Sequence, residues 1–406
     1  MDGRTDIGAR IKEFRTGLLT QQELADRAGV SVGLIRNLEQ GVRHTAKIVT
    51  LHSIARALDV DISALLAKQT TMPSADPNSG IVAIRDALTS VDDLLAEVTE
   101  YGDAADLEDA QRVVQYAWGS YWAGRLDLLT SLLPAGLAQL RATARSVPEI
   151  HRAQAHELLA DLYCVTRCTV TRLGQPDLAW LAIRNALDAV KRGSDELLDA
   201  MIRSSVAHQL LTQGRYDEAH RVALRAAEEI EPAANVPLPN LSAYGHLLLM
   251  AASAAARDQQ VSQANDLLAA SMECAKRLGG DRNDYETSFG LSQATMQALD
   301  VHVVTENYES ALAAADRLPR NTRLPVVLRA RGLYDQAFAH VQLGHDERAL
   351  DSVLAAEHMA PDMMRYHALP RQIVDDLRER GRIRSSRLTK LARRLAVYDR
   401  SDVYRD

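Results

Sequence analysis

Residues 214–232 read GRYDEAHRVALRAAEEIEP, and this stretch decides the fold. Gly214 is followed by Tyr216 and Ala219, and further alanines recur at helical spacing up to Pro232. Glycine suits a tight turn, and alanine on one face of a helix lets a second helix approach closely. The stretch therefore predicts a turn followed by a helix that packs on a partner helix.

The same pattern recurs along the chain. Residues 344–361 (GHDERALDSVLAAEHMAP) repeat it with the same offsets, and weaker copies centre on Leu129, Ala179, Ala264 and Ala311. The six anchor positions, which run from 129 to 349, lie 38 to 50 residues apart. Self-similarity at such a period is typical of stacked helical repeats, and the small number of aromatic residues also disfavours large sheets. The expected fold class is all-α.

The Gly-x-Tyr-x-x-Ala turn and the helix after it resemble the tetratricopeptide repeat. The resemblance implies a right-handed solenoid of helix pairs, in which the first helix of each pair lines the concave face. The minimal repeat is about 34 residues long, so each unit here has longer helices or loops.

The repeat register places a set of aromatic, basic, acidic and amide side chains on the concave face. The predicted effector-binding residues are Trp118, Trp122, Arg172, His208, His246, Arg257, Gln293, Arg331 and Tyr334, and the same face receives Gln111, Tyr121, Asp161, Asp300 and Gln342. Such a groove suits an extended peptide, whose main-chain amides need hydrogen-bond partners. The alternative for each of these residues is packing between helices, and the sequence leaves both interpretations open.

The first part of the chain has a different pattern, which includes TQQELADRAGVSVGLIRNLEQG at residues 20–41. Thr20 with Glu23 forms a capping box, Gly29 suits a left-handed C-cap, and Ser31 suits the next N-cap. The sequence predicts five short helices, Ile7–Arg15, Gln21–Ala28, Val32–Gln40, Val49–Leu58 and Ile62–Ala67.

These turn, cap and apolar positions resemble the phage-repressor helix-turn-helix family of the Cro and xenobiotic-response-element type. The resemblance implies that the helix from Val32 enters the major groove of DNA. Arginine can pair with guanine and asparagine with adenine, so base contacts are expected from Val32, Gly33, Arg36 and Asn37. Phosphate contacts are expected from Gln21, Ser31, Arg43, His44 and Lys47. The resemblance also implies a structural ion pair between Glu39 and Arg15.

The chain divides by composition into a DNA-binding head (1–68), a polar linker with two prolines (69–80) and an effector-sensing, dimerising body (81–406). The first 70 residues carry a formal charge of +2, and the remainder carries −9. A head with so small a charge makes few phosphate contacts. We therefore expect a homodimer that places two heads on an inverted-repeat operator.

The whole architecture resembles the peptide-pheromone quorum-sensing regulators of Gram-positive bacteria. The resemblance implies a cytoplasmic transcriptional regulator whose operator binding responds to a re-imported peptide or to a small molecule. The basic residues comprise 41 Arg and only six Lys, which suggests a GC-rich, actinobacterial source. The alternative is an interaction scaffold that grips a partner protein through the repeat groove, with DNA binding secondary.

Other functional classes lack support in the sequence. Nucleotide-binding glycine motifs, zinc-site spacing and catalytic constellations are missing, so we expect no enzyme activity, catalytic residues, cofactor or metal. Cys164, Cys168 and Cys274 are expected to be free thiols, and no apolar run is long enough for a membrane span. The basic segment 371–394 is either an extra contact to DNA or to an acidic partner, or the capping helix of the array.

Overall fold

The structure is a computed structural model, in which every element among the described residues is helical; this confirms the all-α prediction. The chain separates into two compact units, 1–83 and 84–406. The described residues are 7–16, 19–42, 50, 53–54, 57–58, 79–90, 104–232, 236–319, 322–361, 364, 368–381 and 385–401.

The first unit begins with three short helices, α1 (Ile7–Arg15), α2 (Gln21–Ala28) and α3 (Val32–Glu39). The bounds of α1 and α2 are as predicted, and α3 ends one residue earlier than predicted. The expected capping box at Thr20 is present, and Gly29 adopts the left-handed conformation with φ of 65°. Among the described residues, the core includes the fully buried side chains of Ile11, Leu24, Ile35, Leu38 and Ile54.

Three predicted features of the first part of the chain fall largely outside the described residues. These are the helices 49–58 and 62–67, and the linker 69–80 up to residue 78. The last two linker residues belong instead to a helix, α4 (Ser79–Leu88).

The described residues of the second unit form six successive helix pairs. They are α5 (Leu107–Trp122) with α6 (Leu126–Ser146), α7 (Glu149–Arg172) with α8 (Pro176–Val190), α9 (Glu196–Thr212) with α10 (Tyr216–Glu229), α11 (Leu238–Arg257) with α12 (Val261–Leu278), α13 (Leu291–Val304) with α14 (Tyr308–Asp316), and α15 (Val326–Gln342) with α16 (Asp346–Met359). Two further helices follow, α17 (Ala368–Arg380) and α18 (Ser386–Ser401).

The six turns inside the pairs share one backbone geometry. Each contains one residue with positive φ, which is Gly124, Gly174, Gly214, Gln259, Glu306 or Gly344. The amide of the following residue donates to the carbonyl oxygen five positions before it in every turn, as in Arg215 to Leu210. Every sequence anchor lies five residues after the positive-φ residue and is completely buried. The predicted repeat is therefore confirmed, including its degenerate first copy at Leu129.

The array of six pairs closes on itself, because α15 packs against α5. The turn between α5 and α6 also touches the last pair, since a Cβ at Gly124 would lie 3.6 Å from Cγ1 of Val327. The first helices of the pairs consequently surround one internal space.

The basic segment 371–394 packs on the last pair through ion pairs with α16. Arg380 lies 3.5 Å from Asp346. Arg387 pairs with Asp351, and Arg394 donates two hydrogen bonds of 2.6 Å to Glu357. The acidic face of α16 thus neutralises three of the arginines, which supports the capping interpretation of this segment. Within the described ranges, no helix is both long and apolar enough to span a bilayer.

Candidate functional site

The exposed face of α3 is the candidate nucleic-acid interface. Ser31 caps this helix by accepting a hydrogen bond from the amide of Leu34 at 3.2 Å. Ile35 and Leu38 point into the core, while Gly33, Arg36 and Asn37 are exposed on the opposite side. Their spacing places these groups, with the half-buried Val32, on one face of the helix, and Arg36 lies in its last turn.

An ion pair fixes α3 to the two preceding helices. Arg15 donates to both carboxylate oxygens of Glu39, at 2.6 and 2.9 Å, as predicted. Gln21 donates its amide nitrogen to the same carboxylate at 2.7 Å. Burial opposes ionisation of Glu39, but these hydrogen bonds hold the pKa of its carboxyl below the usual value.

The other predicted phosphate contacts have different outcomes. Gln21 lies at the N-terminus of α2. Its side chain already donates to Glu39, so a phosphate contact by this residue would come from its main-chain N–H at the start of the helix. Arg43, His44 and Lys47 lie outside the described residues. Sequence reasoning missed Gly8, where a Cβ would approach the carbonyl oxygen of Leu38 to 1.7 Å. This glycine lets α1 contact the end of α3 directly.

The second unit contains a partly open cavity of about 510 Å³, which is the candidate effector site. All six first helices contribute to its lining, as the repeat register predicted. Eight of the nine predicted effector residues line this cavity: Trp118, Trp122, Arg172, His208, His246, Arg257, Gln293 and Arg331. The ninth, Tyr334, is completely buried and lies outside the lining. It contributes to the packing of α15 against its neighbours.

One part of the lining, which we call the acidic end, consists of two tryptophans and two carboxylates. The rings of Trp118 and Trp122 stack with centroids 5.7 Å apart and planes 19° from parallel. Trp118 Nε1 donates to Asp161 Oδ1 at 2.7 Å, and Trp122 Nε1 donates to Glu286 Oε2. Among the described side chains, no Lys, Arg or His forms an ion pair with either carboxylate.

The acidic end favours protonated carboxyl groups. Burial raises the pKa of Asp161 to about 7, and the charges of Glu286 and Asp195 act in the same direction against the hydrogen bond from Trp118. Burial also raises the pKa of Glu286. Each group would ionise more readily if a positive charge lay beside it.

Another part of the lining, the basic end, consists of Arg167 and Arg172. Arg167 contacts His208 Nδ1 at 3.3 Å, and Arg172 donates to the hydroxyl of Tyr121 at 3.0 Å. Neither arginine forms an ion pair with a described carboxylate. Burial and the neighbouring arginines lower the pKa of His208, and burial lowers that of His246 to about 4, so both imidazoles are neutral.

The remaining charged groups of the lining compensate one another. Arg257 donates to both oxygens of Asp300, at 2.8 and 2.9 Å. Arg331 donates to both oxygens of Asp335 at 3.1 Å and also reaches Asp300 at 3.4 Å. Although burial opposes ionisation, Arg257 and Arg331 hold the pKa of Asp300 below its usual value. This network ties α11, α13 and α15 together.

A loop between α12 and α13 supplies Glu286 and a strained backbone. Tyr285, Glu286 and Ser288 have φ of 50°, 55° and 48°, in the left-handed region that side chains disfavour. The loop is held by the Tyr285 hydroxyl, which donates to Asp195 at 3.0 Å, and by the amide nitrogen of Asn283, which donates to Glu286 at 2.7 Å. Sequence reasoning missed Glu286 because this loop lies outside the repeats and carries no recognisable motif.

Comparisons with known proteins identify the first unit. The helix-turn-helix family model matches residues 11–65, which confirms the predicted motif. The solved structure of Bacillus thuringiensis PlcR in complex with the peptide PapR7 and DNA is similar at 12% identity and a TM-score of 0.33, over 77% of this chain and 95% of that chain. The apo form of the competence regulator ComR from Streptococcus vestibularis is similar at 14% identity and a TM-score of 0.32, over 82% and 99% respectively. No curated protein matches the chain.

Proposed function

From the premise that residues 11–65 form a helix-turn-helix domain, we propose that this protein is an effector-controlled transcriptional regulator. The observation that carries the proposal is the exposed face of α3. In a helix-turn-helix, this part of the second helix of the motif reads base edges in the major groove. Arg36 is proposed to pair with guanine and Asn37 with adenine, while Val32 would offer an apolar contact and Gly33 would allow close approach.

Affinity is proposed to come from a homodimer. A head whose sequence carries a formal charge of +2 binds DNA weakly and with strong salt dependence when alone. Two heads on an inverted repeat, with half-sites about 34 Å apart, gain affinity by effective concentration. The proposed phosphate contacts are Gln21, Ser31, Arg43, His44 and Lys47.

The effector is proposed to bind in the cavity of the second unit. A volume of about 510 Å³ falls in the range of sites for small molecules and short peptides. The closure of α15 against α5 favours such a ligand over a folded partner protein, which would need an open groove. An effector controls DNA binding if it binds one conformation of the regulator more tightly than another. The proposed contacts are Trp118, Trp122, Arg172, His208, His246, Arg257, Gln293 and Arg331.

The DNA-binding part is tested by footprinting the full-length protein on the DNA upstream of its own gene. We expect one protected inverted repeat, and loss of specific protection in the double variant Arg36→Ala with Asn37→Ala. Each lost base contact costs about 1–3 kcal/mol, so the specific affinity should fall at least tenfold while salt-sensitive non-specific binding remains. Arg225→Ala, on the exposed surface of α10, is the matched control. Unchanged protection by the double variant would contradict the base-reading assignment.

A further inference from the structure

The charges around the cavity do not all have partners of opposite sign. Eight charged side chains line the cavity: Asp161, Glu286, Asp300, Asp335, Arg167, Arg172, Arg257 and Arg331. Four of them form the network of Arg257, Asp300, Arg331 and Asp335. The acidic end therefore keeps two carboxylates that no described cation neutralises.

The unused hydrogen-bonding capacity at the acidic end consists of acceptors. Each indole has a single N–H donor, and it engages one oxygen of Asp161 or of Glu286. The second oxygens, Asp161 Oδ2 and Glu286 Oε1, accept no hydrogen bond from the described residues. Gln293, which also lines the cavity, has a buried amide oxygen that likewise lacks a donor within the described structure. The Gln293 oxygen is buried without a donor, which is costly, and the two carboxylate oxygens also have no donor, so the site is suited to a ligand that supplies donors or positive charge.

We propose that the acidic end binds an organic ammonium group of the effector, between the carboxylates of Asp161 and Glu286 and against the indoles of Trp118 and Trp122. This inference rests on the proposed effector function of the cavity. Two carboxylates supply the charge, and the tryptophan rings add a cation–π attraction that strengthens when water is excluded. The stacked indoles hold both carboxylates in place, so little ordering is needed when the ligand binds.

An ammonium fits this end better than a metal ion does. Calcium takes six or more oxygen ligands, and zinc in proteins takes thiolate, imidazole and carboxylate ligands. The part of the chain that the structure describes contains no group of three or more His, Cys, Asp or Glu side chains arranged for a metal ion. Two carboxylates beside two large aromatic rings match the size and hydration of an organic cation instead.

Binding of a permanent cation should be linked to ionisation of Asp161. The groups that act on this carboxyl are Trp118 of α5, Asp195 before α9 and Glu286 of the loop, and burial, together with this carboxyl, raises the pKa of the Cys164 thiol on α7. The cation favours the ionised carboxylate, so affinity should rise as pH increases through the pKa of Asp161 near 7. A titration from pH 6 to pH 8 should strengthen binding by about tenfold, because the ionised fraction rises by that factor.

The test uses choline and its uncharged carbon isostere, 3,3-dimethylbutan-1-ol, with the full-length protein. Choline keeps its charge at every pH, so any pH dependence belongs to the protein. The chain has three tryptophans, and a Trp180→Phe background leaves Trp118 and Trp122 as the fluorescent reporters. We expect saturable quenching by choline with an affinity that rises with pH, and no saturable quenching by the isostere.

Variants test whether choline binding and its pH dependence arise at the acidic end. Asp161→Asn and Glu286→Gln should each weaken choline binding at least tenfold, and Asp161→Asn should remove most of the pH dependence. Glu273→Gln, an exposed carboxylate on α12, is the control and should leave binding unchanged. The asparagine oxygen can still accept from Trp118, so Asp161→Asn is expected to fold, which thermal melting checks. Equal affinity for choline and the isostere, unchanged binding by both acidic-end variants, or no saturable quenching by choline would each overturn the proposal.

Two further arms locate the source of the ammonium and separate this inference from the proposed function. Trialanine amide with a free amino terminus, compared with its N-acetyl form, tests a peptide amino terminus as the source. Preference for the free form indicates a peptide effector, and selective binding of choline alone indicates a small amine. Operator footprinting with and without choline is scored separately. If choline binds but the protein protects no specific DNA site, the ammonium site stands and the regulator function is contradicted.

Discussion

Arg15 and Glu39 join the first helix of the head to the end of its third helix through two hydrogen bonds, of 2.6 and 2.9 Å. The side chain of Glu39 is only 2% exposed, and Gln21 of α2 donates to the same carboxylate. One acidic side chain therefore holds all three helices that frame the DNA-reading face.

Removal of the Glu39 carboxylate should destabilise the packing of α1, α2 and α3 in the head. Glu39→Ala leaves Arg15 half-buried without a counter-charge and Gln21 without its acceptor, at a cost of about 3 kcal/mol. Hydrogen exchange of the α1–α3 amides in the full-length protein should accelerate, while amides of the second unit keep their rates. Asp26→Ala, an exposed carboxylate on α2, serves as the control. Equal protection in both variants would show that the pair is dispensable.

Substitution of Gly33 should change the stability of α3 and the affinity for DNA in opposite directions. A Cβ at this position meets no atom within 4 Å, so alanine fits without a clash. Gly33→Ala should stabilise α3 by up to about 1 kcal/mol through helix propensity. If the backbone of Gly33 approaches DNA closely, the same substitution should weaken operator binding. The thermal melting temperature and the operator affinity should thus move in opposite directions, and unchanged affinity would exclude close approach.

Loss of a glycine at one positive-φ turn and gain of a glycine at an equivalent turn should change stability in opposite directions. Gly214→Ala has open space around its Cβ, so its expected cost of about 1 kcal/mol is the left-handed conformation alone. Glu306 has φ of 58° in the equivalent turn. Glu306→Gly should stabilise the fold by about 0.5 kcal/mol, since relief of strain exceeds the added chain entropy. Urea unfolding of both variants measures the difference, and two changes of the same sign would contradict the shared geometry.

Asp161 should make the stability of the second unit pH-dependent. Its pKa near 7 in the folded protein lies above the value of about 3.9 for an unfolded aspartate. The folded state therefore prefers the protonated carboxyl, and stability is lost as pH rises between these values. Asp161→Asn should melt higher than the parent at pH 8 and equally near pH 4. A difference that is independent of pH would place the cause elsewhere.

Local signals predicted the parts of the molecule that depend on neighbouring residues. The caps at Thr20 and Ser31 and the turn at Gly29 gave the head helices to within one residue, because these residue types satisfy helix ends directly. The anchors of the six pairs are equally local, since each lies five residues after its turn. Helical spacing from these anchors then brought eight predicted side chains to one cavity.

Contacts between distant parts of the chain escaped prediction for a physical reason. The partner of Trp122 is Glu286, 164 residues away, in a loop whose conformation depends on packing such as that of Phe289 over Gly245. The placement of Tyr334 in the core and the contact of α15 with α5 depend on how much each pair rotates relative to the last. Small rotations accumulate over six units, and no single residue encodes their sum.

The contact between α5 and α15 changes how the body responds to force. In an open array, each unit touches only its neighbours, and a displacement at one unit is dissipated at the free ends. A ring has no free end, so a shift of α5 or of the Glu286 loop must be absorbed around its whole circumference. We therefore expect the strain from a ligand that touches only a few residues to be shared by all six pairs, so that the body responds as one unit.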